Sequence, residues 1–327
     1  MNRRAIITLL SGAAAWPIAA RAQQSNKPRR IGALIGGESS SENMAWNAAF
    51  EQRLQHLGWQ WGHNIHIDYR WGGNDRSRLQ AGADELLAMR PDVLFASGTP
   101  ALAMLREKTR LLPIVFVLVS DPVKLGFVTS LARPGGNITG FANFEHPIGG
   151  KWLDLLKDTA PGRNRIAVVL RPDNPSQIAY WDAIETAAPS FGVQLVRAEV
   201  RDASDIEHAV TTFAQQPNGA LIVLPNAVTI AHSGLIIQLA ARYGLPAVYP
   251  FRFFVVSGGL VSYGIDAAEL SRQAASYVDR ILRGSQPGDL PVQLASKFEL
   301  VVNLKTAKTQ GLTIPESFLQ HADEIIE

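Results

Sequence analysis

Short apolar runs alternate with longer amphipathic stretches along most of the chain. Ile31–Ile35 reads as a buried strand, after which Ala45, Trp46, Ala49, Phe50, Leu54 and Leu57 recur at helical spacing. The same alternation continues through strands at 65–69, 93–96 and 114–119, with helices expected over 76–89 and 100–108. A second round starts with a helix near 149–158 and strands at 166–170, 193–200, 220–224 and 246–249. Strand starts in that round lie 26 or 27 residues apart, the period of a strand–helix unit. Continuous apolar strands joined by helical crossovers predict parallel sheets covered on both faces. Two such rounds predict two doubly wound α/β lobes, and the Gly-, Pro- and Asn-rich stretch from Arg133 to Pro147 is read as the break between them.

Beyond Tyr249 the pattern changes. A strand is expected at 259–263, and Asp266 and Glu269 have capping-box spacing before a helix to about Arg283. A loop spans 284–291, a further strand 298–302, and the tail is polar and read as helical. An extra strand and helix returning to the first lobe make three crossings. The expected division is therefore 29–142 plus 256–291 in lobe 1, and 143–255 plus 292–327 in lobe 2.

The first 22 residues stand apart from this pattern. Asn2-Arg3-Arg4 is basic, Ala5–Ala20 is apolar, and Ala20-Arg21-Ala22 has the form of a signal-peptidase site. Residues 1–22 thus read as a secretory signal peptide cleaved after Ala22, which implies an exported, periplasmic chain. The apolar run is short of the roughly 20 residues a membrane span needs, so no stable membrane insertion is expected. Of 327 residues, 31 are basic and 29 acidic. Without the leader, which holds three arginines and no acid, 28 basic residues face 29 acidic ones. That balance gives no reason to expect nucleic acid as a partner. Cysteine is absent, which excludes disulfides, thiolate metal sites and cysteine nucleophiles.

In parallel α/β sheets, ligands bind beyond the carboxyl ends of the strands. The residues just after each expected strand are therefore the candidate site: Ser39 and Ser40, Ser97 and Thr99, Ser120 and Asp121, Asn174, and Asn226. Ser39 with Glu42 has capping-box spacing, and Thr99 and Asn174 each precede a proline as N-cap candidates. Helix starts of this kind offer N–H groups to a carboxylate or another anion. Tyr249, Phe251, Phe253 and Phe254 offer aromatic walls, Tyr249 being the candidate contact. No catalytic motif, metal-ligand set or cofactor fingerprint accompanies them, so neither an enzyme nor a bound metal or cofactor is expected.

Several of these stretches together resemble a known family. Ser97-Gly-Thr-Pro-Ala101, Ser120-Asp-Pro122, the run Leu131–Gly140, Gly258–Gly264, Asn303–Ala307 and Gly311–Pro315 are similar to the ABC-transporter substrate-binding proteins of the tryptophan-binding-like group. The resemblance implies a type I periplasmic binding fold, with two lobes on a three-strand hinge. It also implies capture of a small organic solute between the lobes, an amino acid or related carboxylate or amide, aromatic ones among them, and delivery to a membrane permease. The alternative it leaves open is a ligand-sensing subunit for a membrane receptor. By the same resemblance, the 97–99 and 120–122 loops hold a carboxylate or amide while Asn174 and Asn226 supply the opposite wall. Asn226 is uncharged where amino-acid binders often carry an acid for the ammonium group, with Asp121 or Asp173 as substitutes.

Overall fold

The computed structural model of the chain describes residues 28–73, 75–145, 147–295 and 297–327; the expected signal peptide lies outside the described residues. The first part runs β1 (Arg29–Ile35), α1 (Ser41–His56), β2 (Ile65–Trp71), α2 (Arg76–Ala88), β3 (Val93–Ser97), α3 (Thr99–Lys108), β4 (Ile114–Val119) and β5 (Ile138–Ala142). The second is α4 (Ile148–Thr159), β6 (Arg165–Leu170), α5 (Pro175–Phe191), β7 (Gln194–Glu199), α6 (Ala203–Ala214), β8 (Gly219–Val223), α7 (Ala227–Ala231), α8 (Ser233–Arg242), β9 (Ala247–Tyr249) and α9 (Arg252–Val256). The chain ends with β10 (Val261–Ile265), α10 (Ala267–Leu282), β11 (Gln293–Leu294), β12 (Phe298–Asn303), α11 (Leu304–Thr309), α12 (Glu316–Leu319) and β13 (Glu324–Ile326).

The strands form two sheets. One has the order β11-β5-β4-β3-β1-β2 and the other β13-β12-β10-β9-β8-β6-β7. All pairings are parallel except β10 with β12. The cores of both sheets wind alike, 2-1-3-4-5 in the first and 7-6-8-9-10 in the second. Each lobe is therefore a doubly wound α/β unit. The β3, β5 and β8 strands are buried along their whole length, because helices cover both faces of each sheet. Among the described residues, no helix is long and apolar enough to cross a membrane.

The chain passes between the sheets three times: between β5 and α4, at Asp266 between β10 and α10, and between β11 and β12. Three short connections make a hinge. Two expected boundaries differ from the observed ones. The strand expected near 259–263 in lobe 1 is β10, which pairs with β9 in the second sheet. The β9 strand has an open outer edge, and an unpaired row of backbone groups needs a partner. Gly264 permits the approach, since a Cβ there would collide with the Pro250 carbonyl. From 256–291 it is thus α10 that crosses back, packing along α1. Conversely, Gln293–Leu294, expected in lobe 2, pairs with β5 of the first sheet.

The β5 strand was hidden in the stretch read as a break. Its Ile-Thr-Gly-Phe-Ala sequence is short and carries a glycine, a weak strand signal. The glycine is required, because a Cβ at Gly140 would strike the Phe116 backbone of neighbouring β4. The tail is helical through α11 and α12 as expected, but its end forms β13 parallel to β12. There Arg252 grips Glu324 through both nitrogens of its fork, at 2.6 and 2.7 Å.

Candidate functional site

A cleft of about 850 Å³ lies between the lobes and is lined from both. Its walls come from the loops after β1 and β3 on one side and after β6 and β8 on the other. These pairs flank the points where strand order reverses in each sheet, the usual ligand crevice of open α/β sheets. Five of the expected site residues line it: Ser97, Thr99, Ser120, Asn174 and Asn226. The structure does not bring Ser39, Ser40, Asp121 or Tyr249 to the cleft wall.

In lobe 1, α3 begins one residue earlier than expected. Gly98, with φ of +90°, is the N-cap and offers no side chain; Thr99 opens the helix and Pro100 follows. The shift takes the Thr99 hydroxyl off capping duty. Its Oγ1 lies 3.4 Å from Ser176 Oγ of lobe 2. It also leaves the first turn of α3, which starts at the cleft with Thr99, without a side-chain cap. Gly37 after β1 lets the lobes meet, since a Cβ there would lie 3.3 Å from the Ala227 Cβ of lobe 2.

Ser40, not Ser39, caps α1, accepting from the Asn43 backbone N–H at 3.3 Å. That capping role occupies Ser40, and neither serine lines the cleft. The α1 face one turn further on supplies Asn43 and Trp46 instead. Asp121 adopts φ of +43° and its Oδ1 accepts from the Lys124 N–H at 3.1 Å, so the carboxylate is used in its own turn. Ser120 does line the cleft, but its hydroxyl donates to Asn143 Oδ1 at 2.9 Å and lies 2.5 Å from Tyr180 Oη. Burial pushes the Tyr180 phenol above its ordinary pKa, so it stays protonated in that contact.

In lobe 2, Asn174 caps α5 as expected, its Oδ1 accepting from the Ser176 N–H at 3.1 Å. Beside it, Arg171 holds both oxygens of Asp173, at 2.6 and 3.0 Å. The hydrogen bond from Arg171 keeps that carboxyl below its ordinary pKa. Asn226 lines the cleft with its polar atoms already committed. Its Oδ1 accepts from the N–H groups of Val228 and Thr229 at 2.9 and 3.0 Å, and its Nδ2 donates to Gln177 Oε1 at 3.0 Å.

Tyr249 is 1% exposed and stacks on Phe254 at 4.9 Å, with burial raising its phenol pKa. It belongs to the core rather than the wall. Phe251, two residues on, takes the expected aromatic place and meets Trp46 of the opposite lobe at 5.6 Å between ring centroids. The apolar floor includes Leu118, a residue the sequence pattern hid inside a strand. The β4–β5 register shifts between Val117 and Val119, and Leu118 there adopts φ of +56°. Such a bulge turns one side chain out of the regular alternation.

Hydroxyls, uncapped backbone N–H groups, arginines and an aromatic pair make this a site that grips a molecule. Among the described residues there is no group of three or more His, Cys, Asp or Glu placed to hold a metal ion. Two hinged α/β lobes with a cleft lined from both define a two-lobe ligand-binding protein. The family model for ABC transporter substrate binding proteins matches residues 39–326, and the chain belongs to that family. It is accordingly a solute-binding protein of the ABC-importer type, whose partners are a small organic ligand and a membrane permease.

A relative in Clostridioides difficile, called a tyrosine-binding protein, is 26% identical over 284 residues, covering 87% of this chain and 81% of that one. A crystal structure of a conserved domain protein from Vibrio cholerae matches with a TM-score of 0.85 and 27% identity, over 91% of this chain and 100% of that one. A domain from Streptococcus pneumoniae solved in complex with L-Trp matches with a TM-score of 0.84 and 24% identity, over 92% and 100%. That likeness is one of fold.

Proposed function

We propose that the chain is a periplasmic receptor that takes up a small organic solute with a carboxylate or amide at one end and an apolar or aromatic group at the other. The observation that carries this reading is contact across the cleft at two chemically different points. Thr99 and Ser176 bring hydroxyls together from the two lobes, while Trp46 and Phe251 bring rings together. The polar point lies where α3 and α5 start, and helix starts favour carboxylates and amides. The aromatic point offers a face to a ring or a branched chain. The similarity to a tyrosine-binding protein and to a domain holding L-Trp supports a solute of this kind. The basic, apolar and A-x-A succession over residues 1–22 supports export to the periplasm.

The cycle follows from geometry. Lobe 2 groups touch the solute only when the hinge is shut, so the solute shifts the open–closed equilibrium by its preference for the closed form. Micromolar capture corresponds to about −8 kcal/mol, within reach of a few buried hydrogen bonds and one stacked ring. The test is deletion of the gene, followed by uptake of the solute that native mass spectrometry finds bound to the purified chain. Loss of uptake on deletion supports delivery to a permease; unchanged uptake of that solute rejects it.

A further inference from the structure

We infer that the cleft selects a solute with net negative charge, a carboxylate on an apolar or aromatic body, and discriminates against the corresponding zwitterionic amino acid. The inference rests on the reading that this cleft is the solute site, and it names the ligand class. An α-ammonium group is best met by a carboxylate in a closed site, and here both lining carboxylates are already held by arginine.

Four arginines line the cleft against two carboxylates. Both carboxylates are held by arginine: Asp173 by the fork of Arg171, and Glu107 by Arg76 at 3.0 Å near the mouth. The remaining cations, Arg106 and Arg110, have no carboxylate partner among the described residues, and Arg106 lies over the Phe127 ring. The amide oxygen of Asn226, which stands where an ammonium acceptor would be sought, is filled by two backbone N–H groups. Carbonyls around the cleft are engaged as well. Ser97 O accepts from Gly36 N, Gly37 O from Gly73 N, and Pro225 O from Gln177 Nε2, all at 2.9 to 3.0 Å.

The donor side is the opposite. The start of α3 presents N–H groups with no side-chain cap, and the Thr99 and Ser176 hydroxyls can turn their protons toward an anion. Shutting the lobes over an ammonium would strip its water without replacing it, whereas a carboxylate gains donors and a favourable field. One uncompensated charge in a closed site costs enough to separate two otherwise matched solutes by tenfold or more.

The test uses a matched set that differs only in charged groups: 3-phenylpropionate, L-phenylalanine and 2-phenylethylamine, with indole-3-propionate and L-tryptophan as a second pair. Each is titrated calorimetrically into the purified chain after dialysis, once native mass spectrometry shows no retained solute. In at least one pair the carboxylate is expected to bind about tenfold tighter or better than its amino acid, and the amine not at all. An amino acid binding as tightly as its carboxylate overturns the inference while leaving solute capture intact. Binding by no member of the set also overturns it; a neutral solute found by mass spectrometry would then preserve the receptor reading alone, and no bound solute in any preparation would count against both. Asp173→Asn gives an independent arm. Removing that negative charge is expected to tighten the best carboxylate several-fold, whereas unchanged or weaker binding of that carboxylate would show that Asp173 does not oppose an anionic solute and would overturn the inference.

Discussion

Ser120 and Tyr180 lie 60 positions apart in the sequence and on different lobes, yet their hydroxyl oxygens are 2.5 Å apart. Ser120 follows β4 of the first sheet, and Tyr180 projects from α5 of the second. Asn143, in the first crossing between the lobes, completes the cluster by accepting from Ser120. The cluster is buried beside the hinge, where opening the cleft must disturb it. It therefore ties the closed arrangement to a hydrogen bond that needs no solute.

Tyr180→Phe should loosen that tie. A buried neutral hydrogen bond contributes about 1 kcal/mol net, so the closed form should lose population by roughly fivefold. Solid evidence would be a larger radius of gyration of the ligand-free variant in solution scattering and weaker solute binding with unchanged circular dichroism. Scattering curves identical to those of the parent chain would remove the cluster from the hinge mechanism.

Thr99→Ala removes a hydroxyl from the crossing point with Ser176 while leaving the α3 backbone in place. Solute affinity is expected to fall by about 1 kcal/mol, near fivefold, with the melting temperature unmoved. Asn174→Ala acts differently. It removes the N-cap of α5 and should cost about 1 kcal/mol in stability as well as affinity. Calorimetry and thermal unfolding on both variants separate the two effects; wild-type affinity in both would displace the proposed polar end of the site.

Trp46→Ala takes away the lobe 1 half of the aromatic contact with Phe251. Affinity for a solute with a ring should drop by about tenfold, in keeping with a stacking contribution of about 0.5–1.5 kcal/mol beyond lost area. The milder Trp46→Phe should keep part of it. Equal affinity across all three chains would mean that the ring lies elsewhere.

Leu118→Gly probes the bulge. A left-handed leucine costs of order 1 kcal/mol, which glycine does not incur. The variant should lose solute affinity through its missing apolar floor without a matching fall in melting temperature. A large loss of stability together with unchanged affinity would make Leu118 a packing residue and nothing more.

Acid should weaken the fold through three carboxyls held below their ordinary range: Asp173 by Arg171, Glu269 by Arg272 and Glu324 by Arg252. Each has a lower pKa folded than unfolded. Its stabilising contribution is present above the unfolded value of about 4 and is lost as pH falls through the folded one. All three are partly exposed, so solvent screening keeps each effect small. Melting temperatures measured from pH 6 down to pH 3 should fall steadily, and Glu324→Gln should flatten that acid limb. Parallel curves for variant and parent would exclude the Arg252 contact as a contributor.

The two lobes and the ends of their strands were legible because their signals are local. Val93–Ala96 and Ala220–Leu224 are apolar throughout, and a short run of that kind has little to do but lie in a covered sheet. The Asn174–Pro175 step marked a helix start, and the start is there. The β5 strand was not legible, because Gly140 makes sense only beside the Phe116 backbone. The pairing of β10 with β9 was not legible either, because it answers an open sheet edge, a property of the assembled sheet.

Within the site the same division holds at the level of single atoms. Chain order placed hydroxyls and amides after the strands, since a parallel sheet presents its loops at one end. Which of those groups remained available was settled by packing between distant residues. Gln177 takes the amide of Asn226 from 49 positions away, Tyr180 takes the hydroxyl of Ser120, and Phe254 covers the ring of Tyr249. A polar atom's freedom to meet a ligand depends on every neighbour the fold brings within 3 Å of it, and local pattern does not encode those neighbours.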